Sequence, residues 1–405
     1  MERTPAVAVI FHHIGPYHHA RLNAAADKLP VIGIEWSARA HDAWGVAATP
    51  ARYRKVSLFP DATDHYPDKA KLRDELWATL EQATPDVVAV NGWNNFGSLI
   101  AANCCVHRGL PMVVMSESSR QDEPRSWWKE AVKRRIVSLY SAALVGGQRH
   151  ADYLVELGMP RERIFTGYDV VDTEYFGRRT QEIRDSNLKF QIQTEHGLPE
   201  NYFLVSARFI EKKNLVRLIS AYAEYRRKSQ MAGPAVWDLV ILGDGPLRET
   251  LISQISALNL NEHVYLPGFK PYEELPVYYA FANAFVHPST TEQWGLVINE
   301  AMASRLPVIV SDRCGCVPDV IRDNGFTFDP TDGGELTARL LEMSSMPNER
   351  RGQLGENSSR IASNFTPERF GEGLKRAAAV ATGIAKKSFG VIDRGLLLVT
   401  GNYAR

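Results

Sequence analysis

Ala284-Phe285-Val286-His287-Pro288-Ser289-Thr290-Thr291-Glu292-Gln293-Trp294-Gly295-Leu296-Val297-Ile298-Asn299-Glu300-Ala301-Met302-Ala303 reads as a buried strand, a polar loop and the opening of a helix. The run before Pro288 suits a strand covered on both faces, and the proline stops it. Strand, loop and helix in that order form the repeating unit of a parallel sheet, because parallel neighbours need a crossover between them. Ligands of such sheets bind at the carboxyl ends of the strands. Glu292 therefore stands at a candidate site mouth, with Gln293 and Trp294 beside it. Glu300 follows about one and a half turns into the helix. The free N–H groups around Gly295, Leu296 and Val297 offer an anion site, reinforced by the helix dipole. Singly, Glu292 also fits a helix-start carboxylate and Glu300 a solvent-facing residue.

The same alternation extends outward. Strands are expected at 202–205, 238–242, 263–266, 284–287 and 307–310, with helices over 215–228, 247–258 and 296–304. In the N-terminal half, strands are expected at 6–11, 31–36, 86–90, 111–115 and 142–145, and a helix over 19–28. Two such sets without a repeated sequence imply an α/β chain of two doubly wound, Rossmann-like domains facing each other across a cleft. Polar residues dominate near 181–200, which reads as the connection between a first domain, 1–180, and a second, 201–365. Residues 366–405 are expected to form a C-terminal helix and tail, with a return to the first domain open.

The chain has 405 residues, 44% of them hydrophobic and 23% charged, as in an ordinary globular protein. Lys plus Arg total 47 and Asp plus Glu 47, which gives no bias toward nucleic acid. The cysteines, Cys104, Cys105, Cys314 and Cys316, lack zinc-ligand spacing and suggest no disulfide framework, which fits a reduced cytoplasm. Residues 1–5 lead into a run too short for a signal segment. No stretch of about 18 apolar residues occurs to span a bilayer.

A nucleotide-diphosphate sugar in the cleft needs cations and N–H groups aimed at its phosphates, and carboxylates for its hydroxyls. Ser206-Ala207-Arg208-Phe209-Ile210-Glu211-Lys212-Lys213-Asn214 follows the strand at 202–205, where Arg208 and Lys213 can converge on one diphosphate. A solvated charged loop is the plainer reading. Gly243-Asp244-Gly245-Pro246 follows the next strand; its glycines permit close backbone approach to a ligand, or simply make a strand-to-helix turn.

Arg208-x4-Lys213, Gly243-x-Gly245-Pro246, Pro267-Gly268, Pro288-Ser289, Glu292-x7-Glu300 and Gly315-x-x-Pro318-Asp319, in this order, resemble glycosyltransferase family 4. These are retaining enzymes of the GT-B fold, and the resemblance covers residues 202 to about 330. It implies that Arg208 and Lys213 hold the diphosphate, that Glu292 contacts donor-sugar hydroxyls and Glu300 the ribose, and that N–H groups near Leu296 and Val297 touch the phosphates. Ala207 stands where glycine is usual, Gln293-Trp294 replaces Gly-Phe, and Cys316 replaces a second glycine. Trp294 is bulkier and is expected to narrow the sugar pocket.

In the first half, Gly15-Pro16-Tyr17 resembles the family's glycine loop after the first strand, with His12, His13, His18 and His19 crowded around it. These histidines and Tyr17 are candidate acceptor contacts or polar filling; no metal site is expected, since no Asp-x-Asp or His-x-x-His pattern accompanies them. Ser116-Glu117-Ser118-Ser119 stands where many members carry a donor-contacting histidine, so Glu117 is a candidate sugar or acceptor contact, or part of a capping cluster. In the helix 127–140, Trp128, Val132, Ile136 and Leu139 share one face. That face either packs into the core or rests peripherally on the inner face of a membrane.

The expected function is a retaining, metal-independent, hexosyltransferase-type glycosyltransferase in cell-surface polysaccharide or glycoconjugate synthesis. It would move sugar from a nucleotide-diphosphate sugar to a glycan, lipid-linked or small-molecule acceptor, with no cofactor. A nucleotide-sugar epimerase on the same fold, or a non-catalytic sugar-nucleotide or glycan-binding protein, are the alternatives. The resemblance gives neither glutamate the nucleophile's role, so same-face departure of the diphosphate is expected rather than double displacement.

Overall fold

The computed structural model describes residues 3–37, 49–61, 68–232, 236–384, 390, 393 and 395–397. It forms two compact units, Met1–Val171 with Thr366–Arg405, and Asp172–Phe365. The end of the expected C-terminal tail, 398–405, lies outside the described residues.

The first unit is built on seven strands: β1 (Val7–Phe11), β2 (Val31–Ser37), β3 (Arg54–Phe59), β4 (Val87–Asn91), β5 (Met112–Ser116), β6 (Ala142–Val145) and β7 (Ile164–Thr166). Their order is β3-β2-β1-β4-β5-β6-β7, and each pairing is parallel. β1, β2, β5 and β6 are buried along their whole length, which accounts for their largely apolar sequences, with Glu35 and Ser37 as the polar residues of β2 and Ser116 that of β5. β3 and β7 escape the apolar-run reading for physical reasons. β3 is an edge strand with exposed Arg54 and Lys55, and β7 has only three half-buried residues.

The second unit holds β8 (Tyr202–Ser206), β9 (Asp238–Leu242), β10 (Val264–Gly268), β11 (Ala284–His287), β12 (Val308–Ser311) and β13 (Gly325–Phe328). All are parallel, in the order β10-β9-β8-β11-β12-β13. From β8 the chain builds outward to β10, then returns to place β11 on the other side of β8. The loops leaving β8 and β11 thus run in opposite senses, and a crevice opens between them at the carboxyl edge.

Residues 181–200, expected as a connection, lie in the second unit, within and after the helix Thr173–Asp185 and through the helix Lys189–Glu195. Their polar character is the exposed side of these helices. Phe176 is buried beside Tyr272 and Tyr279. The Arg184 guanidinium donates to the carbonyls of Ala280 (2.9 Å), Tyr279 (3.2 Å) and Ser304 (2.9 Å). One arginine thereby caps three chain carbonyls and ties the helix to that unit.

The helix Pro367–Gly383 packs against the helix Pro16–Ala26 of the first unit. Contact is close enough that a Cβ on Gly371 would lie 2.9 Å from the Ala24 carbonyl oxygen, and one on Gly373 would lie 2.7 Å from that of Thr166. Gly371→Val should cost about 1–3 kcal/mol, since backbone on both sides must move. Gly352→Ala, at a helical position with nothing within 4 Å of an added Cβ, should leave the Tm unchanged or raise it. Differential scanning calorimetry of the two variants checks the contrast.

Candidate functional site

At the carboxyl edge of the second sheet, the loop after β8 is held in place by the loop after β9. Phe209 is buried; its N–H donates to the Asp244 carbonyl (2.8 Å), and its carbonyl accepts from the Leu247 N–H (3.0 Å). Gly243 has φ +123°, and an added Cβ would lie 1.9 Å from the Ala207 carbonyl oxygen; at Gly245 it would lie 2.8 Å from that of Phe209. These glycines therefore let two loops touch, and act as the shelf beneath Arg208. Asn214, at φ +59°, closes a short 3-10 turn over Glu211–Lys213. Its amide donates to the carbonyls of Pro288 (3.0 Å) and Pro330 (2.9 Å), while the Thr290 N–H donates to the Lys212 carbonyl (2.8 Å). The loops of β8 and β11 are stitched together across the crevice.

Inside that stitching, the Lys213 ammonium donates to Glu292 Oε2. His287 Nε2 lies 3.1 Å from the same oxygen, and Ser289 Oγ lies 3.1 Å from His287 Nε2 and 3.4 Å from Glu292 Oε2. Burial pushes the Glu292 carboxyl up, but the His287 hydrogen bond and the Lys213 charge overcome it and hold the group well below the usual carboxylate range. His287 ends β11 and is wholly buried, and burial lowers its imidazole below its ordinary value. A neutral ring with Nε2–H donating to Glu292 fits both directions, and Nδ1 has no partner among the described residues. The Gly315 N–H binds the Glu292 carbonyl (2.9 Å), which fixes the backbone as well. Sequence reasoning missed His287; the signal was a histidine ending an otherwise apolar strand.

Arg208 is exposed, and its guanidinium has no hydrogen-bond or ion-pair partner among the described residues. The helix Leu296–Ala303 starts from Gly295, which has φ +95° and supplies no side-chain cap. Its first-turn N–H groups lack intrahelical acceptors, as at any helix start. Gln293, Leu296 and Val297 are half-buried. Glu300 is wholly buried rather than solvent-facing, and accepts a hydrogen bond from the Tyr279 hydroxyl at 2.7 Å. Trp294 differs from expectation: its indole turns into the core, donates from Nε1 to Asn299 Oδ1 (2.9 Å) and lies 5.9 Å from the Phe365 ring. The Trp294 side chain is packing, and does not project outward to narrow a sugar pocket.

In the first unit, Glu35 organises the residues around Gly15. This buried carboxylate accepts from the Ile14 N–H (2.7 Å) and Ser57 Oγ (2.7 Å), pairs with Lys55 (2.8 Å), and lies 3.6 Å from His13 Nδ1. His13 Nδ1 is also 3.1 Å from the Ser37 carbonyl oxygen. His12 stacks on Trp36 at 5.4 Å, and His18 packs on Phe11 at 4.3 Å. His19 is tied to Tyr53, Thr49 and Asn23, and burial lowers its imidazole. Tyr17 is half-buried in the first turn of its helix. Glu117 is half-buried just beyond β5, near the wholly buried Asp169, whose carboxyl is pushed up by burial and by the charge of Glu117. Among the described residues, no three His, Cys, Asp or Glu side chains form a metal-binding group.

Residues 188–360 match the family described as Glycosyl transferases group 1. The chain is 29% identical over 184 residues to O-antigen chain mannosyltransferase B of Escherichia coli, covering 45% of this chain and 46% of that protein. It is 31% identical over 187 residues to the GDP-mannose-dependent alpha-(1-6)-phosphatidylinositol monomannoside mannosyltransferase of Mycolicibacterium smegmatis, covering 44% and 46%. The matched region thus spans about half the length of these curated relatives. Among solved structures, Anabaena Alr3699/HepE in complex with UDP and glucose aligns with a TM-score of 0.69 and 17% identity, over 91% of this chain and 98% of that one. The fold is GT-B. No helix among the described residues is long and apolar enough to cross a membrane.

Replacing Glu292 leaves a part-buried ammonium without its counter-charge. Glu292→Gln should lose about 3 kcal/mol of stability at pH 7. Because the folded-state pKa of Glu292 is depressed, its contribution is present above the unfolded value and disappears as pH falls through the folded one. Denaturation of wild type and variant at pH 7 and in acid should therefore show a gap that narrows as pH drops below the ordinary carboxylate range.

Proposed function

We propose that this chain is a retaining, metal-independent glycosyltransferase of the family 4 type, which moves a hexosyl group from a nucleotide-diphosphate sugar to an acceptor hydroxyl. The observation that carries this reading is the pairing of an exposed Arg208 with the Lys213–Glu292 contact at the switch point between β8 and β11. A diphosphate needs converging cations and free N–H groups, and Arg208 and Lys213 from the loop after β8, with the start of the helix Leu296–Ala303, supply these from two chain segments. Glu292, kept ionised, accepts hydrogen bonds from donor-sugar hydroxyls. Glu300, on the same helix, is the ribose contact, with Tyr279 fixing its carboxylate.

Both glutamates are thereby engaged in binding, and the anomeric carbon is attacked on the face from which the diphosphate departs. As the glycosidic bond breaks, the leaving phosphate oxygen takes the proton of the acceptor hydroxyl. Arg208, Lys213 and the helix start stabilise the charge that grows on it. The relatives named for mannose transfer make GDP-mannose the first donor to try, beside UDP- and ADP-sugars. The acceptor is a glycan, lipid-linked or small-molecule hydroxyl in polysaccharide or glycoconjugate synthesis. Its candidate contacts are His12, His13, Tyr17, His18 and Glu117. A peripheral location at the inner membrane face suits a lipid-linked acceptor.

With the donor found by thermal shift, Arg208→Ala and Lys213→Ala should each lower turnover by about 10²–10³-fold with the fold intact by circular dichroism. Near-normal turnover in both contradicts the proposal. Wild-type turnover should survive a chelator, and the anomeric signal of the product in proton NMR should show the donor's configuration.

A further inference from the structure

The helix Trp127–Val137 presents two different faces. Ile136, Val137, Leu139 and Tyr140 are buried, and Val132 packs against them, so the stripe marked by its sequence faces the core. Trp128 does not follow that stripe: it is 54% exposed, and Trp127 is 84% exposed. At 100° per residue, Trp127, Trp128, Ala131, Arg134 and Arg135 fall within an arc of about 120°. All five are exposed. No acid belongs to this arc. Glu130 points away from it, and is engaged by Arg125, Lys133 and Tyr153.

Of the two cations on this arc, Arg134 is exposed and makes no hydrogen bond or ion pair through its side chain among the described residues; Lys129, off the arc, lies 5.7 Å from the Trp128 ring. Arg135 pairs with Asp393 and is half exposed. Two large indoles in water are costly for a protein to display, and among the described residues both stay exposed. Indoles beside arginines match the boundary between headgroups and acyl chains, where an amphipathic ring sits at headgroup level and the cations meet lipid phosphates. A symmetric second copy is a poorer occupant, because an isologous contact would bring this cationic face against itself.

We infer that the exposed Trp127–Trp128–Arg134–Arg135 face of this helix is a docking surface for an anionic lipid bilayer. This deepens the peripheral location proposed above, but the binding step needs neither donor nor transfer chemistry. The test is therefore made without donor, by co-sedimenting the full chain with phosphatidylcholine vesicles holding about 30 mol % phosphatidylglycerol, and with phosphatidylcholine alone. The protein should sediment with the anionic vesicles, and less so as salt rises. The double variant Trp127→Ser/Trp128→Ser and the charge reversal Arg134→Glu should each weaken binding by roughly tenfold or more, with unchanged Tm. All three side chains are exposed, so the fold should tolerate both variants. Failure of wild type to bind anionic vesicles at low salt overturns the inference, as does equal binding by both variants. A concentration-dependent dimer that the tryptophan variant abolishes, without vesicle binding, also overturns it and assigns the face to a second copy. None of these outcomes touches the transferase reading, which turnover alone decides.

Discussion

A lysine and a glutamate in contact at the carboxyl ends of two adjacent parallel strands are the constraint on which the second unit depends. Lys213 and Glu292 come from loops that the chain reaches on separate passes, one leaving β8 and the other β11. Their meeting requires the strand order to reverse between those passes. It also requires Asn214 in a left-handed conformation, bridging two proline carbonyls, and Thr290 bonded to the Lys212 carbonyl. Removing two charges from water is expensive, so such a pair is weak evidence for stability on its own. Its sense is clearer beside Arg208, an exposed cation on the same loop as Lys213, and the uncapped helix start at Gly295. Together they make a locally positive, partly desolvated place that an anion with several oxygens would complete.

The neighbours of this pair are organised to hold Glu292 rather than to react. His287 is buried, which lowers its imidazole below its ordinary value, and its Nε2 lies 3.1 Å from the carboxylate. Ser289 reaches both groups, and the backbone of Glu292 is bound by the Gly315 N–H. A carboxylate so surrounded stays ionised through the neutral range and keeps a fixed direction, which is what accepting hydroxyl hydrogen bonds requires. Glu35 does comparable work in the first unit, where one buried carboxylate fixes the turn after β1 by bonding Ile14, Lys55 and Ser57.

Much of this was legible in the sequence, and the exceptions have physical reasons. Long buried parallel strands announce themselves as apolar runs, so ten of the strands were expected close to where they lie. β3, β7 and β13 were not, because edge position, shortness or a glycine removes the apolar signal. The loop positions of Arg208, Lys213 and Glu292 followed from strand–loop–helix order. Direct contact between Lys213 and Glu292 did not, since local spacing says nothing about which loops become neighbours. Periodicity also cannot tell which of two apolar-looking residues turns inward. Trp294 was expected at the pocket and is core, whereas Trp128 fell on a core stripe and is exposed. The polar run 181–200 misled for a related reason: the helix Thr173–Asp185, in which it begins, is held to the second unit by Phe176 and Arg184, single anchors that composition averages away.

The most direct test of the central claim is a crystal structure of the protein with a bound nucleotide-diphosphate sugar, or with the nucleoside diphosphate alone. The account predicts the diphosphate against Arg208, Lys213 and the N–H groups of Leu296 and Val297, with Glu292 turned to the sugar and Glu300 to the ribose. A diphosphate seated away from the β8 and β11 loops, with the Lys213–Glu292 contact undisturbed, would contradict it.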